Sequence, residues 1–139
     1  MRVRTKLYEE LGQVKWIASL PSDEQKVLQR SVTVVDVEEG RQLCHSGQSE
    51  RESYLLLSGT AEVRHGGESV ATLEVGDFFG EIAPLGDVPR VADVWATSDV
   101  TLGVMTELEL MLLIEDCPVT ARRLIRRVGR LAAAGLSTD

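Results

Sequence analysis

Between Val32 and Thr106 the chain is rich in Val, Leu and Thr, and glycine-containing breaks interrupt it repeatedly. Short apolar and β-branched runs bounded by turn residues read as many short strands. Their spacing suits an antiparallel jelly roll or barrel. Gly66-Gly67 lies between two such runs and is a two-residue hairpin signal. Helical patterns flank this region. Over Thr5 to Arg30, Leu7, Leu11, Val14 and Ile17 recur at three- and four-residue spacing, and a second helix is expected to start with Ser22 as N-cap and Gln25 completing a capping box. Trp16 and Leu20 read as packing residues against the sheet. A helix over Glu107 to Asp116, a break at Cys117-Pro118 and a final helix from Val119 to about Ala134 follow the strands. The expected fold is mainly β with flanking helices: an antiparallel β-roll or jelly roll (a double-stranded β-helix) over residues 32–106, N-terminal helices over 1–31 and C-terminal helices over 107–139.

A chain of 139 residues is one domain, long enough to bury a core. It carries no apolar run of about 18 residues and no charged-then-apolar leader, so a soluble, cytoplasmic protein without membrane contact is expected. The net charge of −7 argues against DNA as the main partner, because phosphate neutralisation needs clustered Lys and Arg. That charge is unevenly spread. Residues 1–118 carry 10 basic and 21 acidic side chains, a net of −11, whereas 119–139 carry five Arg and one Asp, a net of +4. Cys44 and Cys117 lie far apart, and His45 and His65 do not join them in any metal-ligand pattern. His45 beside Cys44 is no nucleophile–base pair, since adjacent strand residues point to opposite faces. No catalytic constellation and no metal site are expected, and the chain is read as a non-enzyme.

In the last helix, Ala121, Leu124, Val128 and Leu131 form an apolar stripe, while Arg122, Arg123, Arg126, Arg127 and Arg130 fill a broad basic face. Two heptads are too few for a coiled coil.

Residues 78–93, FFGEIAPLGDVPRVAD, place a carboxylate and an arginine at the two ends of a short Gly-rich turn. Gly80 allows close backbone approach to a ligand, and a helical turn beginning at Glu81 aims free N–H groups at an anion. Arg90 supplies a planar, permanently charged fork suited to phosphate oxygens. With Gly47 and Tyr54, Gly59-x-Ala-x-Val63 and Leu73-x-x-Gly76-x-Phe78-Phe79-Gly80-Glu81, this segment resembles the cyclic-nucleotide-binding domains, the sensor domains of catabolite activator proteins and cyclic-nucleotide-gated channels. About a hundred residues, roughly 16 to 131, follow the family pattern.

The resemblance implies a cassette of Gly80, Glu81, Ile82, Ala83, Arg90, Val91 and Ala92. In it Glu81 binds a ribose 2′-OH, and Arg90 with the amides of Ala83 and Val91 binds the cyclic phosphate. Val63 lines the base side, and Leu131 or Arg130 of a C-terminal lid helix caps the purine. Family members that prefer cyclic GMP often place Thr directly after the Arg; Val91 cannot make that bond, so cyclic AMP is favoured and cyclic GMP is the lesser ligand. Three departures from the pattern bear on affinity: Glu50-Arg51 where Gly-Asp is usual, Pro84 just inside the cassette, and Asp93 where Thr or Ser is usual. The implied function is a small cyclic-AMP sensor, with a homodimer or effector protein engaged through the C-terminal helix. The alternative is a degenerate interaction module of the same fold that docks an acidic partner through its Arg-rich helix.

Overall fold

The computed structural model describes residues 2–4, 8–45, 51–80 and 93–131, with side chains placed over 9–45, 51–80 and 93–128. Element order is β1 (Arg2–Arg4), α1 (Tyr8–Gly12), α2 (Lys15–Ala18), α3 (Ser22–Ser31), β2 (Thr33–Val37), β3 (Gln42–Cys44), β4 (Glu52–Ser58), β5 (Ala61–His65), β6 (Glu68–Leu73), β7 (Phe78–Gly80), β8 (Asp93–Ala96), β9 (Val100–Thr106), α4 (Glu107–Asp116) and α5 (Pro118–Leu131). The strands form a five-stranded sheet, β1-β2-β9-β4-β7, and a four-stranded sheet, β3-β8-β5-β6, with antiparallel neighbours throughout.

The alternation of side chains along each strand explains why the five-stranded sheet needs cover on both faces. In β4, Leu56 faces a core between the two sheets, whereas Leu55 and Leu57 face the helices. Phe79 and Phe78 in β7 divide the same way, as do Val35 and Val34 in β2 and Leu102 and Met105 in β9. Leu11, Val14, Ile17, Leu20 and Leu28 from the N-terminal helices and Leu110, Leu113, Leu124 and Val128 from the C-terminal pair complete the helix-side core. Three layers result: helices, five-stranded sheet, four-stranded sheet. The expected β-roll with helices at both ends is the observed fold, and Gly66 and Gly67 form the β5–β6 turn with φ of +60° and +83°.

Local details depart from expectation at the N-terminus. Arg2–Arg4 adds an edge strand against β2, where only helix was expected. Ser22 is the first helical residue rather than the cap; Pro21 precedes α3 and no side chain caps its start. The Gln25 amide instead donates to Ala18 O at 3.0 Å and Leu20 O at 2.9 Å, so it ties α3 back to the end of α2 and closes no capping box. Leu7 lies outside the described residues.

At the other end, Thr106 and Glu109 make a reciprocal capping box for α4. Pro118 opens α5, one residue earlier than expected, at the position where its missing N–H costs nothing. The next free amides are met from another helix: the buried Glu24 carboxylate of α3 accepts from Thr120 N at 2.8 Å, Thr120 Oγ1 at 2.8 Å and Val119 N at 3.4 Å. A carboxylate at a helix N-terminus satisfies its orphan donors and its dipole together. This contact locks the N-terminal helices to the C-terminal pair.

No helix among the described residues is long and apolar enough to cross a membrane. Replacing Glu24 by Ala leaves the buried Thr120 hydroxyl and amide unpaired. The expected loss is about 1–3 kcal/mol, read as a lower urea midpoint with an unchanged slope.

Candidate ligand-binding site

The chain leaves the five-stranded sheet at Gly80, the last residue of β7, and enters the four-stranded sheet at Asp93, the first of β8. Residues 81–92 therefore join a strand of one sheet to a strand of the other. Glu81, Ile82, Ala83, Arg90, Val91 and Ala92 lie outside the described residues, as do Glu50 and Pro84; the structure supplies the frame that holds both ends of the cassette.

At the first end, Gly80 has φ +98°, and a Cβ there would sit 2.7 Å from Glu52 O and 2.9 Å from Tyr54 Cδ2. Glycine is thus demanded by the neighbouring strand β4, independently of any ligand. Tyr54 and Phe79, cross-strand partners, hold their rings 5.3 Å apart and tilted by 33°, which fixes β7 just before the cassette begins.

At the second end, Asp93 faces Arg64 across the β5–β8 ladder, and its carboxylate accepts from the Gln42 amide at 3.0 Å. The negative charge that sequence places near the cassette is therefore engaged on β3. Val63 is fully buried between the sheets, paired with Val94 and Ala71 and clustered with Leu56 and Phe79. On the other side of that strand, Arg64 stacks over Trp95 at 5.0 Å from the ring centroid.

The C-terminal helix differs most from its sequence reading. Ala121, Leu124 and Val128 are buried, the last two in the helix-side core. The five arginines do not form one free basic face. Arg123 donates to Trp16 O at 2.6 Å and to Ser19 Oγ at 2.8 Å, and Arg127 donates to Val75 O at 3.0 Å and pairs with Asp77 at 3.0 Å. Arg122 and Arg126 are exposed. Arg130 and Leu131 end α5, and their side chains lie outside the described residues. Cutting the chain before residue 119 would remove core side chains, so it does not isolate a lid. Sequence gives no tertiary partner for Asp77, Arg127 or Glu24, because those partners lie 50 to 96 residues away, and it reads Trp16 as a packing residue without its hydrogen bonds to Gly76 and Arg123.

The described residues contain no group of three His, Cys, Asp or Glu side chains able to hold a metal ion. Burial first, and then the charges of Glu24, Asp116 and Asp23, push the Cys117 thiol up to about 11, so at neutral pH it carries no thiolate. Cys44 is buried and His45 is exposed.

The profile of the cyclic-nucleotide-binding domain matches residues 34–117. The chain belongs to this family. As a cyclic-nucleotide-binding domain it is 37% identical over 103 residues to a cAMP-dependent protein kinase regulatory subunit of Hypocrea atroviridis, covering 73% of this chain and 22% of that one. Identity to the corresponding regulatory subunit of Yarrowia lipolytica is 39% over 97 residues, 68% of this chain and 26% of the relative. The chain thus spans about a quarter of the length of these curated relatives. Among solved structures, Sp-2Cl-cAMPS bound to PKAR CBD2 superposes with a TM-score of 0.69 at 21% identity, over 94% of this chain and 90% of that one. That likeness establishes the shared fold.

Gly80→Ala is expected to destabilise this cyclic-nucleotide-binding domain by about 1–3 kcal/mol, since an L residue is strained at that φ and its methyl group meets β4 backbone; thermal melting checks it. The Cys117 shift gives a second prediction. A thiol pKa raised from 9.0 to about 11 in the fold means that the unfolded chain ionises first, so its contribution to stability is full below pH 9 and is lost as pH rises toward 11. Alkaline urea titration of wild type and Cys117→Ala reads this difference.

Proposed function

We propose that this domain is a non-enzymatic sensor that binds a cyclic purine mononucleotide, with cyclic AMP preferred over cyclic GMP. The observation that carries the reading is the family match over residues 34–117, which takes in the whole segment from Gly80 to Asp93 with Glu81 and Arg90 at the expected spacing. The frame is in keeping with it: Gly80 and Asp93 anchor the two ends of the segment to two different sheets. Two relatives similar to this chain are cAMP-dependent protein kinase regulatory subunits, which favours cyclic AMP and a regulatory output through an effector protein.

In this reading Arg90 and the amides of Ala83 and Val91 neutralise the cyclic phosphate, as a guanidinium fork and free N–H groups suit an anion. Glu81 accepts from the ribose 2′-OH, which offsets the repulsion between two anionic groups in one pocket. Gly80, Ile82 and Ala92 shape the cassette backbone, and Val63 supports the base side from the roll interior. The lid role falls to the far end of α5 and the residues beyond it, with Arg130 or Leu131 over the purine, because the helix up to Val128 belongs to the core. Residues 1–139 act as one domain, working in the cytoplasm and engaging a second copy or an effector through the C-terminal helix.

Calorimetric titration with cyclic AMP and cyclic GMP tests the reading directly; heat from neither would leave a degenerate interaction module. Arg90→Ala is expected to weaken cyclic AMP binding by about 2–4 kcal/mol and Glu81→Ala by about 1–3 kcal/mol. A 2′-deoxy ligand should then bind wild type and Glu81→Ala almost equally. Val91→Thr should raise relative affinity for cyclic GMP by about 1 kcal/mol, the net worth of one hydrogen bond.

A further inference from the structure

Asp77 is fully buried in the turn between β6 and β7, and both of its carboxylate oxygens are used. Oδ2 accepts from Glu74 N at 2.7 Å, closing the turn on itself, while Oδ1 meets Arg127 Nη2 of α5 at 3.0 Å. The same guanidinium nitrogen donates to Val75 O at 3.0 Å. In the other direction the turn is stitched to β4: Leu56 N donates to Asp77 O at 3.0 Å and Gly76 N to Leu56 O at 2.7 Å. Trp16 adds a third anchor through its indole N–H to Gly76 O at 3.0 Å. Three residues after Asp77 the strand ends at Gly80, where the cassette starts.

Of these three anchors only α5 brings a positive charge. A buried carboxylate stripped of its counter-charge is strongly destabilised, because the desolvation penalty of the ion is no longer offset. Displacement of α5 therefore changes the favoured geometry of the turn, and with it the path of β7 into Gly80. The converse holds with equal free energy, since coupling between two positions is reciprocal.

We infer that Asp77 and Arg127 are a positioning pair that links the C-terminal helix to the nucleotide site through the β6–β7 turn. The inference rests on the nucleotide reading proposed above. It differs from a lid, because the linkage runs through the sheet on its helix-packed side and needs no contact between α5 and ligand. Arg123 holds the same helix to Trp16 O and Ser19 Oγ without touching Asp77, which makes it the control for the charged pair itself.

The experiment compares wild type with Arg127→Met, Arg127→Lys, Asp77→Asn, the double variant Asp77→Asn/Arg127→Met, and Arg123→Met. Calorimetric titration with cyclic AMP is combined with residue-level amide exchange of the ligand-free proteins. Arg127→Met and Asp77→Asn should each weaken cyclic AMP binding by about five-fold or more, the usual scale of coupling between sites. Arg127→Lys should restore most of it, and the double variant should be no worse than the weaker single one. In exchange, Arg127→Met should speed both residues 77–80 and 119–128, whereas Arg123→Met, which keeps the Asp77–Arg127 pair, should speed 119–128 more than 77–80 and weaken nucleotide binding less than Arg127→Met does. Unchanged exchange at 77–80 in Arg127→Met, or an equal loss of affinity in Arg123→Met, overturns the inference. If wild type binds neither nucleotide, the proposed function falls instead, and the ligand-free exchange still decides whether Asp77 and Arg127 link helix to turn.

Discussion

The five-stranded sheet has no face that water can cover. Its central strands β9 and β4 place apolar side chains on both sides, with Leu56 and Leu102 toward one core and Leu55, Leu57 and Met105 toward the other. Burying a side chain of this size is worth about 1.5–3 kcal/mol, so leaving either face open would forfeit several such contributions. One face is covered by the four-stranded sheet, which turns the strands into a roll. Helices from both ends of the chain cover the other, and so none of them is an optional attachment. The strand ends at Gly80 and Asp93 inherit their positions from this double cover.

That constraint changes how the C-terminal helix can serve a ligand site. A helix whose Leu124 and Val128 complete a core does not swing away as a whole without exposing them. Motion is confined to its far end, or to small shifts transmitted through contacts such as Arg127 with Asp77 and Thr120 with Glu24. Both contacts join α5 to distant elements through a buried carboxylate. Buried ions of this kind stabilise little when intact and cost much when broken, which makes them sensitive to relative position. The helix layer is thus mechanically continuous with the turn that precedes the cassette.

Much of the architecture was legible in the chain. The glycine-punctuated strand region, the Gly66-Gly67 hairpin, the Glu107–Asp116 helix and the break before Pro118 all emerge from local patterns, because turn chemistry, capping and apolar periodicity act within a few residues. Family membership was legible too, through the Glu81 and Arg90 spacing within that pattern. Reading the Arg side chains of α5 from sequence failed for the opposite reason. Periodicity puts Arg123 and Arg127 on a polar face, and only tertiary packing turns that face toward Trp16 O and Asp77. The Ser22 cap failed similarly, since Pro21 and the reach of Gln25 back to Leu20 O settle the start of α3.

By itself the sequence determined the strand region from Val32 to Thr106, the helices that flank it, and the Gly-rich segment that holds a carboxylate and an arginine together, though not the edge strand Arg2–Arg4. Those are short-range properties, set by steric limits on φ, side-chain alternation and residue chemistry. The tertiary structure alone decided that Gly80 is required by its approach to β4, that Asp93 is engaged by Gln42, and that two arginines of α5 are spent inside the molecule. Each depends on groups between 26 and 107 residues apart meeting within about 3 Å, and no local rule specifies such a meeting; it arises from how the strands and helices pack around the two cores.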